Sequence, residues 1–433
     1  MTHDAQLILA VGVVLAAGVM AAGLAARLRL PALVLFAGLG MLVGSDGLGF
    51  VPFDDYRLAR LIGTIALVLI LFEGGLAAGW RELRPVLRPA LLLAVVATVV
   101  TAAIIGLSAT SLFDFSLLEG LLLGAILAAT DGAAVFALLR GVRLPTRLRR
   151  TLEGESGFND PVAVLLVLIA IDLITNPPHG VWSTLAFLAH EVGVGVAVGM
   201  AGGVVGAKHA HRLPDGVVLV ASLATAALAY GLAGVLGGSG FLAVYMVGLS
   251  LGDASFADRK PVLAFHRGLA MLAEIGMFFA LGLLVFPSQF GPIVVKAVLL
   301  ALIIALIARP IASTLATVRQ GFTRPERALL AWAGLRGAVP VVLATFAVID
   351  GVPRSVEMLN IVFFAVLLSA ALQGSTVEAL ANRLLPAGMG DSHHGASHAR
   401  RASSRKPIPR RKETPVSTAR KLGDSPTARP PAC

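Results

Sequence analysis

Cysteine is almost absent: the one copy, Cys433, is the last residue of the sequence. No disulfide framework can form within one chain, and none of the usual cysteine-based metal patterns exists. Charge is scarce too. Asp, Glu, Lys and Arg make up 14% of the residues, against 57% hydrophobic. That balance is too apolar for a soluble domain of this length and reads as a polytopic membrane protein. Nor does any Lys or Arg precede the first apolar run, 7–26, which argues against the basic n-region of a secretory signal peptide. Arg27 and Arg29 follow that run instead, as on a first helix whose N-terminus lies outside.

The net charge of +10 would suggest nucleic acid in a soluble protein. Here most of it lies beyond Arg383, where Arg400, Arg401, Arg405, Lys406, Arg410, Arg411, Lys412, Arg420, Lys421 and Arg429 are scattered among Ser and Pro. A stretch so polar and Pro-rich cannot bury a core, so 385–433 is expected to be a disordered basic tail after a transmembrane domain of 1–384. It could bind anionic lipid headgroups. Its histidines, His393, His394 and His398, imply weak adventitious metal binding at most.

Crossing about 30 Å of hydrocarbon takes about 20 apolar residues. Runs of this kind fall near 6–26, 30–48, 58–79, 88–109, 117–139, 155–175, 183–207, 216–235, 239–252, 264–286, 290–315, 327–349 and 357–380, which makes roughly thirteen spans. The loops test the count. Arg140, Arg143, Arg147, Arg149 and Arg150 crowd the fifth loop, and the other odd-numbered loops are basic as well. The even-numbered loops are nearly free of Lys and Arg, with Arg57 and Arg354 the main exceptions. Such alternation follows the positive-inside rule, with the N-terminus outside and the tail cytoplasmic in a cell (inner) membrane.

Thirteen spans divide as six, one and six, and the odd connecting helix inverts the second six relative to the first. The fifth span of the first set is interrupted by Ala129-Thr130-Asp131-Gly132. The fifth of the second set is interrupted by Gly334-Leu335-Arg336-Gly337-Ala338-Val339-Pro340. Inverted repeats with discontinuous helices at matching positions are a recurrent transporter plan.

The chemistry gathers at these breaks and at Glu153–Pro161, which reads EGESGFNDP. Ionisable groups at membrane depth are expensive and face a protein interior or a water path. A carboxylate taken out of water favours its neutral form, so Asp160 can hold a proton near neutral pH and release it when a cation arrives. Asp131 and Glu73 are the other carboxylates deep in apolar runs. Thr130 and Ser156 add neutral oxygens of the kind hard cations prefer, and broken helices add free carbonyls and partial charge. Arg336 needs a carboxylate partner at such depth. Glu155 is the first choice, with Arg309 a second cation nearby. The plainer reading of Glu155 and Arg336 is a packing ion pair without direct chemistry, and Arg309 could instead snorkel to the cytoplasmic face. The Gly-rich run 193–206 reads as close helix packing, and His190–Glu191 as a polar packing pair.

The four stretches Ala129-Thr130-Asp131, Glu155-Ser156-Gly157-Phe158-Asn159-Asp160, Gly238-Ser239-Gly240-Phe241-Leu242-Ala243 and Gly334–Pro340 together resemble the monovalent cation:proton antiporter-1 family, NhaP-like branch, over about residues 7–384. The resemblance implies an all-α fold of thirteen helices in an inverted repeat, with interleaved core and dimerisation subdomains, working as a homodimer without a cofactor. It implies that Asp160, with Asn159 beside it, alternates between proton and cation, and that Asp131, the Thr130 backbone, Ser156 and Glu73 surround the ion. It also implies a structural Glu155–Arg336 pair and electroneutral exchange by an elevator-like shift of the core. The sequence around Glu153–Pro161 and Gly337–Ala344 looks closer to potassium/proton antiporters, with K⁺ or Na⁺ and H⁺ as substrates and a role in cation and pH homeostasis. A strict Na⁺(Li⁺)/H⁺ antiporter is the alternative. Gly132 departs from the commoner Pro in its motif.

Two other classes are weaker. Gly154-Glu155-Ser156-Gly157 and Gly237-Gly238-Ser239-Gly240 fit the G-x-S-G of rhomboid-type intramembrane serine proteases, but that chemistry needs a facing histidine, and only His190 lies well inside a span. A cation channel would want weak multi-site binding along a continuous pore.

Overall fold

The structure, a computed structural model, describes residues 2–28, 32–51, 53–139, 141–176, 180–210, 212–254, 259–286, 288, 291 and 293–385. The expected tail lies outside these residues, apart from Leu385. Among the described residues all regular structure is helical. In chain order the elements are α1 (Thr2–Leu28), α2 (Ala32–Val43), α3 (Tyr56–Ala78), α4 (Trp80–Phe113), α5 (Leu117–Ala128), α6 (Gly132–Leu138), α7 (Thr146–Thr175) and α8 (Val181–Ala210). They continue as α9 (Asp215–Val235), α10 (Gly240–Gly252), α11 (Arg259–Leu283), α12 (Val294–Thr317), α13 (Arg324–Trp332), α14 (Ala338–Ile349) and α15 (Ser355–Leu384). Eight of these are long and apolar enough to cross a membrane by length and composition. With α5–α6 and α13–α14 each counted as one broken pass, the order is the expected thirteen, in a multi-pass membrane protein.

The inverted repeat is legible in local physics. Both broken passes open on the same cap: Ser116 with Glu119 before α5, and Thr323 with Glu326 before α13, each a reciprocal capping box. Each N-cap residue's N–H donates to the glutamate, at 2.8 and 2.7 Å, so two orphan donors per helix start are satisfied. The pass before each break carries a π-helical segment, Leu92–Ala97 in α4 and Ile304–Ala308 in α12. In α12 the cause is local. Pro310 follows the segment and has no N–H to continue the ladder.

Packing sorts the elements into two groups. α5, α6, α7 and α12–α15 pack chiefly on one another and on most of α4, while α1–α3 and α8–α11 do the same among themselves. The seam between the groups is bridged by α3 on α14 and α7, and by α10 on α7. Gly157 lets α10 come close to α7, since a side chain there would collide with the Tyr245 ring. Tyr245 also meets Phe158 edge-on, with ring centroids 5.0 Å apart. The glycine run of α8 acts as a packing surface: side chains at Gly195, Gly199 and Gly203 would strike α10 or the turn before it. His190 bonds the Leu236 carbonyl, and the Glu191 carbonyl accepts the Ser239 N–H, both at 3.0 Å.

Candidate functional site

One boundary differs from the sequence expectation and relocates the site. In the sequence the apolar run starts near 155, but α7 already begins at Thr146. Leu148 and Leu152 on this basic first stretch are buried, so packing carries the helix out past the apolar window. Glu155, Asn159 and Asp160 therefore sit in the middle of a long helix, not at its end. Pro161 follows directly and withholds the N–H that would have bonded the Gly157 carbonyl.

α7 is laced to the first break by its polar face. The Ser156 hydroxyl accepts the Gly132 N–H at 2.9 Å and lies 3.4 Å from the Thr130 carbonyl, toward which it donates. The Asn159 amide donates to the Thr130 hydroxyl. Asp131 caps α6, its carboxylate accepting the Ala134 N–H at 2.9 Å. Its own N–H donates to the Leu335 carbonyl at 2.7 Å, so the two unwound segments are bonded where they cross. A side chain at Gly337 would land on the Asp131 carboxylate. That glycine permits the close crossing.

Asp160 and Asn159 are buried, at 8% and 1% exposure. Asp160 Oδ1 and Asn159 Oδ1 have no hydrogen-bond partner among the described residues. Buried oxygens normally have one. Asp131 is close enough that its charge and that of Asp160 interact, as do the charges of Glu274 and Asp131. The site thus offers carboxylate and amide oxygens and no excess of fixed positive charge, a donor set suited to a hard cation or a proton.

The buried cations lie elsewhere than the sequence suggested. Glu155 pairs with Arg309, not with Arg336, and both partners are almost fully buried. A side chain at Gly334 would strike the Arg309 guanidinium, so that glycine gives Arg309 its path. Arg309 is thereby held inside the fold and does not snorkel. Arg336, fully buried, donates through Nη1 to the carbonyls of Ala128 and Ala129, at 2.8 Å each. Those carbonyls end α5 and carry its negative partial charge. The close partners of Arg336 are thus a helix terminus, while Glu155, in its salt bridge with Arg309, acts on it only through its charge.

Glu73 comes from the other helix group, on α3, and lies 3.6 Å from Arg267 of α11. Ser369 accepts the Arg336 N–H at 3.2 Å and donates to Gln373 at 2.6 Å. These two, with Tyr245, were not singled out from sequence. The available signals were slight: two polar residues inside the apolar run 357–380, and one of only three tyrosines. Both G-x-S-G serines serve the backbone, Ser156 as described and Ser239 as the cap of α10, accepting the Leu242 N–H at 3.3 Å.

The family model described as sodium/hydrogen exchanger, transmembrane, matches residues 13–383. The chain is 38% identical over 367 residues to the K(+)/H(+) antiporter NhaP2 of Shewanella baltica, covering 84% of this chain and 64% of that protein. It is 38% identical over 381 residues to the K(+)/H(+) antiporter NhaP of Alkalimonas amylolytica, covering 87% and 66%. It is 32% identical over 365 residues to the Na(+)/H(+) antiporter ApNhaP of Aphanothece halophytica, covering 78% and 68%. The chain thus spans about two thirds of the length of these relatives or slightly less. The sodium proton antiporter MjNhaP1 of Methanocaldococcus jannaschii, solved at pH 8, superimposes with a TM-score of 0.76 at 26% identity, covering 88% of this chain and 98% of that one.

Proposed function

From the premise that the chain belongs to the sodium/hydrogen exchanger family, we propose that it is a secondary antiporter exchanging a monovalent cation, K⁺ or Na⁺, for a proton. The observation that carries this reading is the pair of buried oxygens, Asp160 Oδ1 and Asn159 Oδ1, left unsatisfied beside the crossing of two broken helices. A protein oxygen in that condition is stabilised by binding a proton or a cation, and one carboxylate cannot hold both tightly. Competition at Asp160 couples the two fluxes. Asp131, the Thr130 carbonyl and Ser156 shape the rest of the ion's shell, and Asn159 holds it against Thr130.

Exchange is one cation for one proton, since Asp160 is the carboxylate that alternates and its neighbour Asn159 is neutral. Glu73 and Glu274, on α3 and α11, attract the cation toward the site from the opposite helix group. The group holding Asp131, Asp160 and Arg336 shifts along the seam as a unit, in a homodimer whose other group stays still. The N-terminus lies outside and the tail inside. The K⁺ antiport in the names of two relatives, with the NhaP-like Glu153–Pro161 run, favours K⁺, and a strict Na⁺(Li⁺)/H⁺ antiporter is the second reading.

The test is proton flux in proteoliposomes carrying a pH gradient, with K⁺, Na⁺ or Li⁺ added separately to the native chain and to Asp160→Asn. The expected result is collapse of the gradient by K⁺ or Na⁺ with the native chain and none with the variant. If no cation moves protons through folded native protein from mildly acidic to alkaline pH, the reading fails.

A further inference from the structure

On the outer face of α8 and α9, away from the ion site, runs a groove of about 570 Å³. Its walls are apolar and small, with Ala197, Ala201, Val205, Ala221, Leu228 and Leu232 among them. The few hydroxyls in the lining are already committed. Ser222 meets the His266 ring at 2.7 Å and the Leu219 carbonyl at 2.9 Å, and Thr225 donates to the Ala221 carbonyl at 2.8 Å. His209 bonds the Val205 carbonyl at 2.8 Å. The lining therefore presents hydrocarbon and no outstanding need for hydrogen bonds, which suits an apolar occupant better than water.

The groove's length and charge choose among apolar occupants. Its α8 wall runs from Ala197 to Ala210 and its α9 wall from Val218 to Leu232, each about 20 Å at 1.5 Å per residue. One leaflet of hydrocarbon is about 15 Å deep, so the groove matches a single lipid tail in one leaflet. One end of its lining, Ala210 and Leu213, lies at the turn after α8. Lys208, in the last turn of α8, and Arg212, in the turn that follows the helix, stand beside the lining residues His209, Ala210 and Leu213 along the chain, and both are exposed. In sequence, positions 208–215 hold Lys208, Arg212 and two histidines against one acid, Asp215. A hydrocarbon trough one leaflet long that ends in two cations has the complement of an anionic phospholipid.

We propose that this groove is a binding site for one anionic phospholipid, its tail between α8 and α9 and its phosphate on Lys208 and Arg212. The site is independent of the ion-exchange reading. It concerns the helix group that does not carry Asp160, and gives that group a lipid-anchored face.

The test uses the full chain, purified in detergent and offered phosphatidylglycerol or phosphatidylcholine with identical tails, with native mass spectrometry and thermal unfolding as readouts. Phosphatidylglycerol is expected to remain at one per chain and to raise the melting temperature more than phosphatidylcholine. Lys208→Gln with Arg212→Gln should weaken phosphatidylglycerol about thirtyfold, taking each basic residue at a headgroup at its usual worth, and leave phosphatidylcholine unchanged. Ala201→Leu with Ala221→Leu, which fills the groove, should lose the lipid while melting no lower than the lipid-free native chain. Equal retention of the two lipids overturns the proposal, as does a filled groove that keeps its lipid. Dissociation of a dimer on filling, without lipid loss, would give the groove to a second copy and also overturn it. If the filled variant does not fold, the charge variant decides alone, because both its side chains are exposed.

Discussion

Asp131 donates its backbone N–H to the Leu335 carbonyl at 2.7 Å, and this bond joins the two interrupted helices at their crossing. Irregular backbone is tolerated at membrane depth only where other groups satisfy it. Here each break serves the other: Asp131 takes the Leu335 carbonyl, and Arg336 takes the last carbonyls of α5. A substitution in one break should therefore be felt in the other.

Gly337→Ala places a methyl group against the Asp131 carboxylate. Overpacking of this kind costs about 1–3 kcal/mol. If that cost falls on Asp131, cation affinity drops about five- to 150-fold, read as the cation concentration giving half-maximal proton flux. An unchanged affinity in folded protein would separate Asp131 from the ion.

Arg309→Met should be severely destabilising, because it removes the salt-bridge partner of the buried Glu155. Breaking a buried pair costs about 3–5 kcal/mol. Adding Glu155→Gln to Arg309→Met removes the carboxylate charge and should recover a large part of the loss. A thermal-unfolding double-mutant cycle measures it. Additive losses would mean that the two side chains do not act on each other.

Arg336→Lys keeps the charge but replaces a planar fork with a flexible point charge. One nitrogen of Arg336 spans two successive carbonyls, and a lysine amine reaching the same place gives up that fixed geometry. Transport is expected to fall further than melting temperature, because the ends of α5 and α6 near Thr130 and Asp131 lose their anchor before the fold does. Equal relative losses would make Arg336 a packing residue alone.

Competition at one carboxylate has a defined pH signature. Protonation of Asp160 removes the cation's ligand, so apparent KM for the cation rises as pH falls. While Asp160 is mostly protonated the rise is about tenfold per pH unit, and it flattens once the carboxylate is free of protons. Flux measured over a grid of pH and cation concentration tests this. A KM independent of pH would require separate sites for proton and cation.

Arg60 on α3 stacks over the Phe346 ring of α14, 5.2 Å from its centroid, across the seam between the helix groups. A cation–π contact of this exposure is worth about 0.5–1 kcal/mol. If the seam slides during transport, Arg60→Leu should shift the balance of states about two- to fivefold, changing apparent cation affinity unequally on the two sides of oriented proteoliposomes. Equal changes on both sides would mean that the seam keeps one arrangement.

What the chain says alone follows from solvent. In hydrocarbon every backbone group must be satisfied locally, so apolar length alone yields the number of passes, and basic loops mark the passes in alternation. The two breaks are visible for the same reason, since Asp131 and Arg336 are too costly to be placed there without purpose. The matching capping boxes at Ser116 and Thr323 are present in the chain as S-x-x-E and T-x-x-E, but it was the helix starts in the structure that gave them meaning.

Partner choice is different in kind. Glu155 had two cations within reach in sequence terms. Which one it meets depends on how the helices pack, and on the space that Gly334 leaves for Arg309. Arg336 found helix-end carbonyls where a carboxylate was expected, because the crossing of two helices brings the end of α5 to it. Sequence determined which groups are too polar to leave unpartnered in a membrane. Only tertiary structure decided the partners, because a hydrogen bond or ion pair depends on distances of a few ångströms between segments that lie far apart along the chain.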